Sequence, residues 1–336
     1  MNIPGSMTQV LPMEDSSQVG HARRVAQRLA TELGFDETDA GRVALATTEL
    51  ATNLLKHAGQ GSLHLRSIAA ETGSGVEIVA VDSGPGFNLN ECLADGFSTG
   101  GTQGTGLGAL RRQALVFDAY SDDKGSVVLV QLFRRGIAVP FLRFGVSQHS
   151  LNNDPACGDV WHVACDKQRI SALVIDGIGH GEDAEHAAKC GASAFAAAPF
   201  ADPETSIADM HQAMCGTRGG AAAVAVFDPR LGVLRFAGIG NIGASLLNVE
   251  KSRGLASHPG IVGSQFRKAR AFDYPVEEHQ LLVMYSDGLQ SRWTLRDYPG
   301  LVHRHPAIIA AVLHRDYCRG RDDATVLVIA LEAMRD

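Results

Sequence analysis

Apolar runs that stop abruptly at an aspartate constrain this chain more than any other feature. Residues 75–82 read GVEIVAVD, nearly all apolar, as a strand covered on both faces would be. The same ending recurs at Asp176-Gly177 and Asp287-Gly288, with related acidic turns at Gly158-Asp159 and Asp322-Asp323. A carboxylate at the carboxyl end of a buried strand sits where sheets of α/β proteins bind ligands. The pattern therefore predicts sheets flanked by helices, with the chemistry at strand ends.

The pattern runs twice. In the first block, helices are predicted over 21–33 and 39–57, where Val25, Leu29 and Leu33, then Val43, Leu50 and Leu54, recur on one face. Asp36, Glu37 and Asp39 open the second helix, where carboxylates suit the dipole. Strands follow at 62–68 and 75–82, a helix at 107–116, and strands near Ala119 and at 126–133. Residues 134–140, RRGIAVP, read as a junction. Beyond it, strands are predicted at 141–148, 159–164, 169–176, 221–227, 233–237, 244–248, 280–286 and 324–331. Helices fit 182–198, 203–214 and 306–317, and DPRLG at 228–232 reads as a hairpin turn. Residues 1–18 read as a loose lead-in. With 336 residues, 45% of them hydrophobic, the chain has enough apolar material for about two folded domains.

Several classes drop out. The net charge is −7 and no basic stripe is present, so no nucleic-acid partner is expected. No apolar run approaches the roughly 20 residues that span a bilayer, so no membrane association is expected. The first residues lack the basic and apolar regions of a signal peptide. The six cysteines are scattered without a C-x-x-C pair, which reads as reduced thiols and a cytoplasmic location.

Three pieces of the first block belong together. Glu49 and Asn53 are four residues apart and share a helix face. Asp82-Ser-Gly84-Pro-Gly86 ends a buried strand, where glycines let backbone approach a flat ring. Gly100-Gly101-Thr-Gln-Gly104-Thr-Gly106-Leu-Gly108 opens a helix, a phosphate cradle of backbone N–H groups. In this order they resemble the N, G1 and G2 boxes of the GHKL ATP-binding (Bergerat) fold, over about 15–135. The short lid, with ADGFSTGG at 94–101, resembles that of RsbT-like serine kinases, which phosphorylate STAS-domain antagonists in partner-switching pathways. The resemblance implies Asn53 as a Mg²⁺ ligand, Asp82 on the adenine amine, and Glu49 as the base receiving a serine proton. Gly84, Gly86, Gly104, Gly106 and Gly108 would line the ATP site. Lys56 reads as a solvated side chain.

In the second block, acidic turns far apart in sequence suggest a cluster at one sheet edge. Hard carboxylate oxygens without His or Cys suit Mg²⁺ or Mn²⁺. Two such ions can bridge a water, lower its pKa and direct it at phosphorus. The successive motifs CGDVW, LVIDGIGHG, YSDGL and RDDATVLVI resemble the PPM metal-dependent serine/threonine phosphatases of the SpoIIE- and RsbX-like branch, over 141–332. The resemblance implies an α/β/β/α sandwich holding two metal ions. Asp176 would bridge them, Gly177 would lend its carbonyl, Asp287 and Asp322 would be direct ligands, and Asp159 would bind directly or through water. Gly158 stands where many eukaryotic members carry an acidic residue, which puts the full ligand count in doubt. His180 reads either as an acid for the leaving oxygen or as an ordered loop histidine, Arg218 is a candidate phosphate contact, and Asn241 reads as a turn residue.

The expectation is a two-domain α+β protein, an amino-terminal Bergerat sandwich followed by a PPM-type sandwich. Its expected work is metal-dependent dephosphorylation of phosphoserine on a STAS-domain or stressosome-type protein, with the first domain a serine kinase of the same pathway. A first domain that only senses ATP or docks a partner remains the alternative.

Overall fold

The computed structural model describes residues 1–71, 73–88, 106–138, 142–166, 169–265 and 268–331. The chain divides into two compact units. One comprises Thr8–Phe141 with Tyr298–Val312; the other comprises Met1–Met7, Leu142–Asp297 and the chain from Leu313.

The first unit is a five-stranded antiparallel sheet with helices on one face. Strands β2 (Gln9–Met13), β3 (Gly61–Ala70), β4 (Gly73–Val81), β5 (Val116–Asp122) and β6 (Gly125–Phe133) lie in the order β2-β3-β4-β6-β5. Helices α1 (Ser16–Glu32) and α2 (Glu37–Asn53) pack together, and α3 (Gly106–Gln113) lies on α2. Asp15 caps α1 through a reciprocal capping box with Gln18, and the Asp36 side chain accepts from Asp39 N at 2.7 Å to start α2. Val25, Val43, Leu50 and Leu54, the faces expected from spacing, meet Leu63, Leu65, Ile78 and Val130 in one core. Asp39 is buried but paired: Arg42 lies 2.8 Å away, and Arg135 N donates at 3.1 Å. Within the same unit, Asp118 of β5 holds Arg304 at 3.2 Å and accepts from His305 N at 2.6 Å.

The second unit stacks two sheets, antiparallel except where β14 pairs with β11 in parallel. The larger contains β1 (Asn2–Pro4), β8 (Asp159–Cys165), β9 (Ile170–Gly177), β10 (Gly220–Asp228), β11 (Val233–Ile239) and β14 (Ser257–His258) in that order, with β15 (Phe272–Pro275) also on β11. The smaller runs β13-β12-β16-β17-β7, from Ser252–Gly254, Gly243–Leu247, Gln280–Tyr285, Ala324–Leu331 and Phe144–His149 respectively. Helices α4 (Glu182–Ala197) and α5 (Pro203–Met214) cover the larger sheet, where Phe195, Ile207 and Met210 bury against Leu173, Ile175 and Val224. Helix α6 (Pro306–Tyr317) ends beside β7, with the His314 ring 3.8 Å from that of His149.

Two expectations fail. Residues 1–18 are not a loose lead-in: Ile3 pairs with Val163 and Leu11 with Leu63, so β1 and β2 each extend a sheet. Pro4 and Pro12 mask them in the sequence, yet a proline is tolerated on an edge strand, where one side of the ladder has no partner. The helix expected over 39–57 also breaks: α2 ends at Asn53 and the chain continues as a π-helical turn, Leu54–Ala58. Elsewhere β10 and β11 form the expected hairpin, with Asp228 opposite Val233.

Candidate functional site

In the first unit, the π-helical turn widens the helix just after Asn53, as such turns do at many functional sites. Described residues of all three sequence pieces lie beside this turn or beside Asn53. A methyl placed on Gly106, the first residue of α3, would lie 3.8 Å from Asn53 Nδ2. A methyl on Gly84 would lie 2.8 Å from Ala58 Cβ, so the loop after β4 touches the turn only because Gly84 has no side chain. Asp82 Oδ1 accepts from Gly84 N at 2.8 Å and Ser126 N at 3.2 Å, which orients the carboxylate at the strand end. Gly86 follows, and Phe87 N donates to Ser121 Oγ at 2.7 Å. Glu49 is half-buried one turn before Asn53, Gly108 lies in the first turn of α3, and Lys56 is exposed. Gly104 and most of the lid lie outside the described residues.

In the second unit, strand register assembles the acidic turns. Asp159 at the start of β8 is the cross-strand partner of Asp176 near the end of β9. Like charges directly opposite repel. Asp176 is held well above the usual carboxylate range, first by burial and then by the charges of Asp159, Asp287, Asp322 and Asp323. Asp159, 1% exposed, is also raised by burial, although the Ser286 hydroxyl donates to it at 2.6 Å and opposes the shift. Asp322 is raised by burial, opposed by the Asp323 backbone N–H. These carboxylates therefore sit within electrostatic reach of one another.

Among the described residues, no three His, Cys, Asp or Glu side chains are already gathered as a metal site. Asp159, Asp287, Asp322 and Asp323 are each turned by a hydrogen bond. Asn241 Nδ2 donates to Asp287 at 2.6 Å, so Asn241 is more than the turn residue expected from the sequence. Asp323 accepts from Leu151 N at 2.7 Å and Gly158 N at 2.6 Å, a structural task, while Asp322 lines the same cavity as Asp287. The donor chemistry fits Mg²⁺ or Mn²⁺: crowded, hard, anionic oxygens that favour a cation or a proton. Gly177 ends β9 beside Asp176. No acidic side chain fits at position 158, because a Cβ there would meet Ala184 Cβ at 2.9 Å and Asp323 Oδ2 at 3.1 Å. His180 is exposed and near enough to Asp322 to lower its pKa. Arg218 is tied to Asp183 at 2.6 Å, so the phosphate contact considered for it competes with an ion pair.

Residues 13–132 match the family of histidine kinase-like ATPase domains, and residues 166–332 match the Stage II sporulation protein E (SpoIIE) family. The serine/threonine-protein kinase RsbT of Bacillus subtilis (strain 168) is 38% identical over 92 residues, which is 27% of this chain and 69% of RsbT. The chain belongs to the RsbT-type histidine kinase-like ATPases, joined to a SpoIIE-type phosphatase domain. The solved structures agree on the fold. One from a study of the bacterial stressosome as a modular system controlling secondary messenger signalling has a TM-score of 0.52 at 26% identity, covering 56% of this chain and 98% of that chain. RsbX in complex with magnesium gives 0.50 at 19% identity, over 56% of this chain and 94% of RsbX. The PP2C domain of SpoIIE from Bacillus subtilis, with a fragment of its regulatory domain, gives 0.50 at 14% identity, over 96% of this chain and 98% of that chain. The RsbT-type and SpoIIE-type halves are thus a Bergerat unit and a PPM-fold unit in one chain. No helix among the described residues is long and apolar enough to cross a membrane.

Proposed function

We propose that the SpoIIE-type unit removes phosphate from a phosphoserine on a STAS-domain or stressosome-type protein, and that the RsbT-type unit uses Mg²⁺–ATP as a serine kinase in the same partner-switching pathway. The observation that carries this reading is the crowding of Asp159, Asp176, Asp287 and Asp322 at strand ends, in a chain that also holds an RsbT-type nucleotide pocket. Asp176, the Gly177 carbonyl, Asp287 and Asp322 would hold two Mn²⁺ or Mg²⁺ ions, with Asp159 as a direct or water-mediated ligand. When bound, such ions acidify a water and neutralise the phosphoryl oxygens.

The chain's own groups do the rest. Asn241 fixes the Asp287 rotamer through its amide hydrogen bond. The Ser286 hydroxyl, which donates to Asp159, also accepts from Thr325 N at 2.9 Å and so locks that carboxylate to β17. His180, whose charge acts on Asp322, would return a proton to the leaving serine oxygen. In the other unit, Asn53 would take the ATP-bound Mg²⁺, Asp82 the adenine amine, and Glu49 the proton of an incoming serine. The glycines at 84, 86, 104, 106 and 108 would give the phosphates access to backbone N–H groups.

The test uses the purified chain with a STAS-domain substrate. With Mn²⁺, phosphate should be released from the phosphoserine form. With labelled ATP and Mg²⁺, label should reach the unphosphorylated form, and Glu49→Ala should abolish transfer while nucleotide still binds. Binding without transfer in the wild type would make the first unit an ATP sensor or docking module.

A further inference from the structure

The SpoIIE-type unit carries a cavity of about 600 Å³ lined by Asp287, Gln290, Ser291, Arg292, Arg319, Arg321 and Asp322. Two loops build it, each beginning or ending at a candidate metal ligand. They are zipped together by Gln290 N to Tyr317 O at 2.9 Å and Arg319 N to Gly288 O at 2.8 Å, with Leu289 bridging Cys318. The arginines therefore sit on a fixed frame rather than on two independent loops.

Their side chains differ from others in the same unit. Arg169, Arg218, Arg230 and Arg235 each hold an aspartate. Arg292, Arg319 and Arg321 are exposed, and among the described residues their side chains have no hydrogen-bond, ion-pair or ring partner. Three unpaired guanidinium groups beside two carboxylates of the candidate metal centre are a local reversal of sign on a chain of net charge −7. An acidic partner meets long-range repulsion from such a chain, and a local cationic rim offsets it where contact is made.

We infer that Arg292, Arg319 and Arg321 form a docking rim for acidic side chains flanking the phosphoserine of the substrate. The inference rests on the phosphatase reading of the adjoining carboxylates, since it is the phosphoserine seated there that brings its flanks to the rim. Guanidinium forks match carboxylates in bidentate geometry, and their rim exposure makes the attraction sensitive to salt. The substrate class is thus a phosphoprotein with Asp or Glu close to its phosphoserine.

Fluorescence polarisation of labelled peptides carrying a non-hydrolysable phosphonate in place of phosphoserine tests this on the full chain with Mn²⁺, where the phosphoryl group can be seated and no turnover interferes. The expected result is about tenfold tighter binding of a Glu-flanked than a Lys-flanked peptide at low salt, shrinking as salt rises. Each of Arg292→Gln, Arg319→Gln and Arg321→Gln should cost about threefold on the Glu-flanked peptide, and the triple variant should erase the preference. Equal wild-type binding of the two peptides overturns the inference, as does a preference that survives the triple variant. So does equal loss on both peptides, which would assign the arginines to the phosphoryl group itself. Hydrolysis of p-nitrophenyl phosphate by the wild type with Mn²⁺ reads the phosphatase assignment separately: its absence removes that reading, while the flank preference is still decided by binding.

Discussion

The two candidate sites are built by opposite means. The candidate nucleotide site is shaped by missing atoms: the loop after β4 approaches Ala58 because Gly84 has no Cβ, and a Cβ on Gly86 would collide with the Asp122 carbonyl. Its one strand-end carboxylate, Asp82, is satisfied by backbone N–H groups. The carboxylate centre is shaped by excess charge, with four aspartates raising the pKa of a fifth. A site made of space costs little to hold open in the folded protein. A site made of like charges stores repulsion that a ligand can relieve.

The largest test of that contrast is Asp176→Asn. It should lower Mn²⁺-dependent phosphatase turnover by about 100-fold or more, as loss of a metal ligand does. The same change removes the most crowded charge, so in EDTA it should raise the melting temperature of its unit by roughly 2–4 °C at pH 8. Calorimetry checks the sign, and a lower melting point would mean that the cluster is not under electrostatic strain.

Next in size is Gly84→Ala, which puts a methyl where Ala58 already sits. It should weaken ATP binding by about tenfold through displacement of the loop carrying Asp82, with no gain in melting temperature. Titration calorimetry with a non-hydrolysable nucleotide measures it. A stabilised variant would erase the contrast between the sites.

The smallest effect is a pH dependence. Asp176 and Asp159 are raised in the fold, whereas in the unfolded chain they ionise near the ordinary value of 3.8. A raised folded pKa means stability that is present below about pH 4 and is lost as pH climbs through the raised value. Mg²⁺ can replace the protons in that upper range. The rise in melting temperature on adding Mg²⁺ should therefore be larger at pH 8 than at pH 5, where protons already occupy Asp159 and Asp176. Taking the difference with and without Mg²⁺ at each pH cancels the titration of distant groups such as His314, which burial pushes down to about 4.

Much of this molecule is legible in its residues, and the exceptions have a common cause. Helices α5 and α6 and strand β17 follow the expected bounds because their apolar patterns are long and their ends carry prolines or acidic turns. The short strands β1, β13, β14 and β15 escape notice because two to four residues hold no period, and their stability comes from pairing. In the same way, Glu49, Asn53 and Asp82 are visible through local spacing, whereas the contact of Asn241 with Asp287 joins residues far apart in sequence. The unpaired state of Arg292, Arg319 and Arg321 is equally invisible, since only the fold shows that none of the described carboxylates pairs with them.

The pairing of β1 with β8 has a consequence for how the polypeptide comes to be assembled. During synthesis residues 2–4 emerge before the ATPase segment, yet their partner strand, ending at Cys165, follows it. The ATPase unit in turn includes Tyr298–Val312, made after most of the other unit. Domains usually complete themselves in order as the ribosome delivers them. Here each waits for a piece embedded in the stretch that belongs mainly to the other. A cut at residues 134–140 would then not yield two whole domains: the downstream fragment would expose β8 as an unpaired edge, open to association with another chain, and the upstream fragment would lose the residues that hold Asp118.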